Sequence, residues 1–150
     1  MCGDLKRSNG GFILKTNIEE FYWKERMSYI RVWEKEGVVT TFSGDVTMEE
    51  VFNADKEFYE DTRSDLSKYQ ITDFSGISPE LANDADIQKV AAFDAGSSMS
   101  IPFLKVALIT NDPHVKFLCQ KYIDFSRRLN TSWKFKICED MQSAREWVSV

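Results

Sequence analysis

His114 is the only imidazole in the chain, and it follows Asp112 by two residues at the start of a helix-like pattern. Histidine titrates near neutral pH, so beside a carboxylate it could take up or release a proton. Asp73, Ser75, Asn111 and Asp112 occupy comparable places, each just after a run that reads as a β-strand. Ligands of an open parallel sheet settle outside the carboxyl ends of its strands. Asp73, Ser75, Asn111, Asp112 and His114 are therefore the candidate ligand- or partner-binding residues. A plainer account competes with this one: Asn111, Asp112 and Asp140 also have the residue types of helix N-caps, and a lone histidine in a first helical turn is commonly just exposed.

The familiar catalytic arrangements fail. The sequence contains no GxSxG, no Walker loop, no GxGxxG and no HExxH, so nothing in it announces a nucleophile, a phosphate cradle or a zinc site. Cys2, Cys119 and Cys138 form no CxxC pair, and one histidine cannot complete a Cys/His zinc set with them. The expectation is reduced, structural thiols, with no metal, no cofactor and no catalytic residue, in a protein that is not an enzyme.

The elements that position these residues follow from hydrophobic period. Residues 29–34 and 38–42 alternate, are rich in β-branched and aromatic side chains, and flank Lys35-Glu36-Gly37, which reads as a hairpin. Thr47 and Glu50 form a capping box for a helix to about residue 62, with Met48, Val51, Phe52, Phe58 and Tyr59 at helical spacing. A third strand covers 69–74 and is broken by Ser75-Gly76. Asn83 or Asp84 then caps a helix to about residue 96, with Ile87, Val90, Ala91 and Asp94 on one side. The nearly uniform apolar run 104–110 suits the central strand of a parallel sheet. Asn111-Asp112-Pro113 opens the next helix. Residues 133–138 alternate as a last strand near the sheet edge, since they carry two lysines, and Asp140 begins a closing helix. The order is β-β-α-β-α-β-α-β-α: an α/β domain with a five-stranded mixed sheet, an N-terminal hairpin, parallel strands after it and four helices.

Composition bounds the rest. The 150 residues are 43% hydrophobic and 13% aromatic, which suits one folded domain, expected over residues 28–150 and preceded by an N-terminal arm or extension over 1–27. The formal charge of −5 argues against nucleic acid as a partner. No apolar run reaches the ~18 residues of a membrane span, and the expected location is cytoplasmic. The charge is unevenly placed. Asp45, Glu49, Glu50, Asp55, Glu57, Glu60 and Asp61 face only Lys56, whereas residues 116–136 carry Lys116, Lys121, Arg127, Arg128, Lys134 and Lys136 against Asp124. Both sets read first as solvated helix faces, and second as surfaces that steer a partner.

Residues 44–51, 69–77 and 105–109, with Glu139-Asp140, Ala144 and Trp147-Val148, together resemble the SpoIIAA-like superfamily, a group similar to the STAS domains of anti-sigma-factor antagonists. The resemblance covers roughly residues 29–150. It implies a small α/β domain that acts through binding, as a protein-interaction or regulatory module with a protein partner or a second copy of itself. In phosphoregulated members an Asp-Ser pair at the start of the second helix carries the phosphorylated serine. Here residues 81–86 contain no serine, and Asp73-Phe74-Ser75-Gly76 lies at a strand end, so the resemblance carries over no phosphoswitch. The wider fold group also includes Sec14-type lipid-transfer modules. The second expectation is accordingly a small-molecule or lipid-binding module using the strand-end crevice, with Phe12, Phe21, Tyr22 and Trp23 of the arm as a lid.

Overall fold

Alternating β-branched and aromatic residues pair first. β1 (Tyr29–Trp33) and β2 (Gly37–Gly44) run antiparallel, with Tyr29 opposite Phe42 and Trp33 opposite Val38. The computed structural model describes residues 28–150, and the arm expected over 1–27 lies outside the described residues. Gly37 is required where β2 begins: a Cβ there would stand 2.4 Å from the Tyr69 ring and 2.5 Å from its carbonyl oxygen.

The capping box forms as the spacing predicts. Glu50 N–H donates to Thr47 Oγ1 at 3.2 Å, and Thr47 N–H donates to the Glu50 carboxylate at 2.8 Å, which starts α1 (Met48–Glu60). A 3₁₀ turn (Thr62–Leu66) leads to β3 (Tyr69–Ile77). Contrary to expectation, β3 continues through Ser75-Gly76. β3 carries one extra residue between Asp73 and Gly76 against Thr41 and Ser43 of β2, a bulge beyond which Gly76 meets Ser43 and Ile77 meets Gly44. α2 (Ile87–Ser97) starts later than residues 83–84. Asn83 accepts a hydrogen bond from Ala85 N–H at 3.0 Å, closing a local turn instead of capping, and Asp86 then sits at φ +65° before the helix begins. β4 (Lys105–Ile109), α3 (Pro113–Arg128), β5 (Lys134–Cys138) and α4 (Met141–Val148) complete the expected order.

The strands lie in the order β1-β2-β3-β4-β5, all parallel after the hairpin, and β5 is an edge as its lysines suggested. The middle strand is β3 rather than the apolar run of β4. Val106 to Ile109 are apolar because strands flank β4 and side chains cover both of its faces, which any interior strand requires.

Successive right-handed crossovers in one direction place α1, α2 and α3 on the same face. There Val38, Val106 and Leu108 pack with Phe58, Val115 and Ile123. α4 covers the other face, where Val39, Ile71, Ala107, Ile109 and Cys138 meet Ala144 and Trp147. Arg145 of α4 grips Glu34, just beyond β1, through two bonds of 2.5 and 2.7 Å, and Tyr69 donates to the same carboxylate at 2.6 Å. Cys119 and Cys138 are free and buried, and burial pushes the Cys119 thiol up to about 12, consistent with a packing role. Among the described residues no helix is long and apolar enough to cross a membrane.

Candidate functional site

α1 and α2 meet at their aromatic residues, Phe52 against Phe93 with centroids 4.9 Å apart and Tyr59 against Phe93 at 5.4 Å. Between these helices and the sheet beneath them lies a cavity of about 110 Å³. Val51 of α1, Val90 of α2, Phe74 of β3 and Leu108 of β4 give it an apolar lining, and the exposed residues Thr47 and Asn83 mark its mouth.

Polar side chains interrupt that lining from three elements. Asp55 lies one helical turn after Val51, and Asp94 lies four residues after Val90, so each acidic group falls on the inward stripe of its helix. Asp94 is only 4% exposed. Its Oδ1 accepts from the Tyr59 hydroxyl at 2.9 Å and its Oδ2 from the Tyr122 hydroxyl of α3 at 2.5 Å. Burial raises the Asp94 carboxyl to about 6, while hydrogen bonds from Tyr122, Asp55 and Tyr59 hold it below where burial alone would take it. Asp55 is pushed well above the ordinary carboxylate value, first by burial, then by the charge of Asp94 and the hydrogen bond to it, against the pull of Arg31. Two carboxyls this close cannot both ionise cheaply, so the pair shares a proton held mainly on Asp55. The same burial, with the Asp94 charge, raises the Tyr59 and Tyr122 phenols, which stay protonated as donors.

Arg31 approaches from β1 beneath α1. Its Nη2 donates to the Ala54 carbonyl at 2.7 Å and its Nε to Thr40 Oγ1 at 3.2 Å, which sets the guanidinium beside Asp55 without lining the cavity. From β3, Gln70 is 8% exposed and lines the cavity, yet its carboxamide makes no hydrogen bond among the described residues. Its amide oxygen and nitrogen thus offer an acceptor and donors to the cavity, while the one fully buried side-chain polar atom without a partner among the described residues is Ser64 Oγ. Among the described residues no three His, Cys, Asp or Glu side chains gather to hold a metal ion.

The strand-end residues predicted from sequence are placed elsewhere. Asp73 accepts from Ser75 N–H at 2.9 Å and Ser75 Oγ at 2.6 Å, closing a local turn on β3. Asn111 donates to the Glu139 carbonyl at 2.9 Å, bridging the ends of β4 and β5. Asp112 caps α3, accepting from His114 N–H at 2.9 Å and Val115 N–H at 3.0 Å. His114 lies with Nε2 2.7 Å from the Ala82 carbonyl oxygen. The structure thus joins Asp73 to Ser75 and Asp112 to His114, and none of the five lines the cavity. His114 alone reaches its rim, because Ala82 and Asn83 do line it. Sequence reasoning placed Asp55 on a solvated acidic face. Its neighbours Glu49, Glu57 and Glu60 are exposed there, but Asp55 turns inward.

No family model matches the chain, and no curated protein matches it. Among solved structures it is similar to a protein of SpoIIAA-like fold. That protein is an uncharacterized member of the DUF3478 family from Shewanella loihica PV-4, 16% identical, with a TM-score of 0.46 over 80% of this chain and 91% of that one. The α/β architecture of the present chain rests on its own element order and strand pairing.

Proposed function

We propose that the chain is a non-catalytic binding module for a small apolar molecule, taken up between α1 and α2. The observation that carries this reading is the apolar cavity with Asp55, Asp94 and Gln70 directed into it. An apolar pocket with a few convergent polar groups is the usual form of a small-molecule site. Its volume of about 110 Å³ sets the scale. An apolar cavity of ~150 Å³ holds a benzene molecule, so the occupant has the bulk of a small ring or a short alkyl chain. A whole lipid would leave most of its length outside. Both oxygens of Asp94 are engaged by tyrosine hydroxyls, which favours a holding role over proton transfer to a substrate. Of the strand-end candidates, His114 enters this reading as the side chain that fixes the rim at Ala82, while Asp73, Ser75, Asn111 and Asp112 hold turns and caps.

Thermal-shift screening with benzene-sized and five-carbon compounds tests it. A ligand at a hundredfold its Kd adds ~2.7 kcal/mol, or roughly 5–10 °C in a domain of this size. Wild type should respond, and Val51→Trp, which fills the cavity from α1, should not. A panel that leaves the wild-type Tm unmoved overturns the proposal.

The reading as an interaction module keeps one observation of its own. Ile30 and Val32 of edge strand β1 are 71% and 55% exposed, on the face where α4 packs chiefly on β3, β4 and β5. Self-association through β1 is checked by sedimentation, where a monomer at all soluble concentrations refutes it.

A further inference from the structure

We infer that the crevice selects an ammonium: a small alkyl or aryl amine whose cationic nitrogen sits against Asp55 and Asp94 and donates to Gln70, with its apolar part among Val51, Val90 and Leu108. This rests on the reading of the crevice as a ligand site. The lining contains two carboxyls and no Lys, Arg or His. A carboxylate ligand would meet like charge there, and a neutral one would leave Asp55 holding its proton in an apolar lining. Arg31 from β1 pulls on Asp55 from outside the lining, so an ammonium that takes the place of the Asp55 proton leaves the charge of the site as it was.

Hydrogen bonding points the same way, independently of charge. An ammonium has three donors and no acceptor. The Tyr59 hydroxyl from α1 and the Tyr122 hydroxyl from α3 already fill one position on each Asp94 oxygen. Once Asp55 has lost its proton, its carboxylate, Thr72 Oγ1 and Gln70 Oε1 are acceptors on the lining that an ammonium can reach together. Gln70 is 92% buried, directed into the cavity and unpartnered among the described residues. Seating the ammonium displaces the proton of Asp55. The amine arrives with its three N–H bonds intact, the Asp55 O–H bond breaks, that proton passes to solvent, and the site gains no net charge. Affinity therefore rises with pH while the amine remains protonated.

The test uses n-pentylamine, 1-pentanol and pentanoate, nearly equal in volume, titrated calorimetrically into the full chain. Pentylamine should bind at least tenfold more tightly than pentanol, pentanoate should not bind, and pentylamine affinity should fall at least tenfold from pH 8 to pH 5. Asp55→Asn should abolish the preference for amine while pentanol still binds, which reports an intact crevice. If that variant does not fold, Gln70→Leu should weaken pentylamine several-fold and leave pentanol unchanged. Pentanol binding as tightly as pentylamine, or variants that keep the amine preference, overturns the ammonium assignment and leaves the crevice standing. Binding by none of the three compounds overturns the crevice reading itself.

Discussion

Replacing Asp94 with Asn removes a carboxyl whose ionisation the folded state opposes. The group titrates at about 6 in the folded chain against an ordinary 3.8. At about 1.4 kcal/mol per tenfold change, that rise corresponds to about 3 kcal/mol. The sign follows from proton counting. Between those two values the native state binds more protons than the unfolded state, so stability is fully present below about pH 4 and is lost as pH rises through about 6. Asn has the same shape and does not titrate. The stability of Asp94→Asn relative to wild type should therefore climb by about 3 kcal/mol from pH 3.5 to pH 7, most of it between pH 4 and pH 6. Every carboxylate outside the pair titrates in both proteins and cancels from the difference. Urea denaturation followed by tryptophan fluorescence at half-unit pH steps measures it. With a slope of ~1–3 kcal/mol/M, the midpoint difference should change by about 1–3 M. Parallel stability curves for the two proteins would refute the buried, proton-sharing pair.

Three further substitutions test the frame that holds the site. Phe58→Ala empties a fully buried position stacked on Trp33 and should cost ~3–5 kcal/mol in urea denaturation, with loss of near-ultraviolet aromatic dichroism. Gly37→Ala forces a Cβ to within 2.5 Å of the Tyr69 carbonyl oxygen, a backbone atom that cannot swing aside, and should cost about 2–3 kcal/mol by the same assay. Arg145→Ala breaks the pair with Glu34, whose side chains are 43% and 25% exposed, so the loss should be ~1 kcal/mol or less and should vanish in molar salt.

Residue types with strong local meaning made most of the fold legible. Thr47 with Glu50, Asp112 before Pro113, and the β-branched runs state their structures within a few residues. The errors arose where tertiary contact decides. Ser75-Gly76 looked like a break because an extra residue interrupts the alternation of β3 there, and only the pairing with β2 beyond it keeps the strand going. Asn83 resembled a cap, but its side chain turned to Ala85. The site was hidden for a related reason. Asp55 stands in an acidic run that reads as one solvated face, and only its spacing from Val51 marks it as inward. Asp94 carried a clearer signal, since it shares a helical stripe with Val90 and Ala91, and Gln70 alternates with Thr72 and Phe74 toward the helices. An acidic residue on an apolar stripe and a glutamine on the covered side of an interior strand point to the same place. The pairing across α1 and α2 that unites them is long-range and has no local trace.

Among the described residues one helix alone covers the second face, which bears on how the chain is made. Synthesis runs from the amino end, and α4 is the last of the described elements to appear. Until then no other helix among the described residues covers Val39, Ile71, Ala107 and Ile109. The ~40 residues from the end of β4 to the end of α4 take about 2–8 s to translate at ~5–20 residues per second. For those seconds a nascent chain with three helices in place lacks that helix over its apolar sheet face, the kind of transient exposure that favours aggregation. A stop codon just before Met141 would make that exposure permanent.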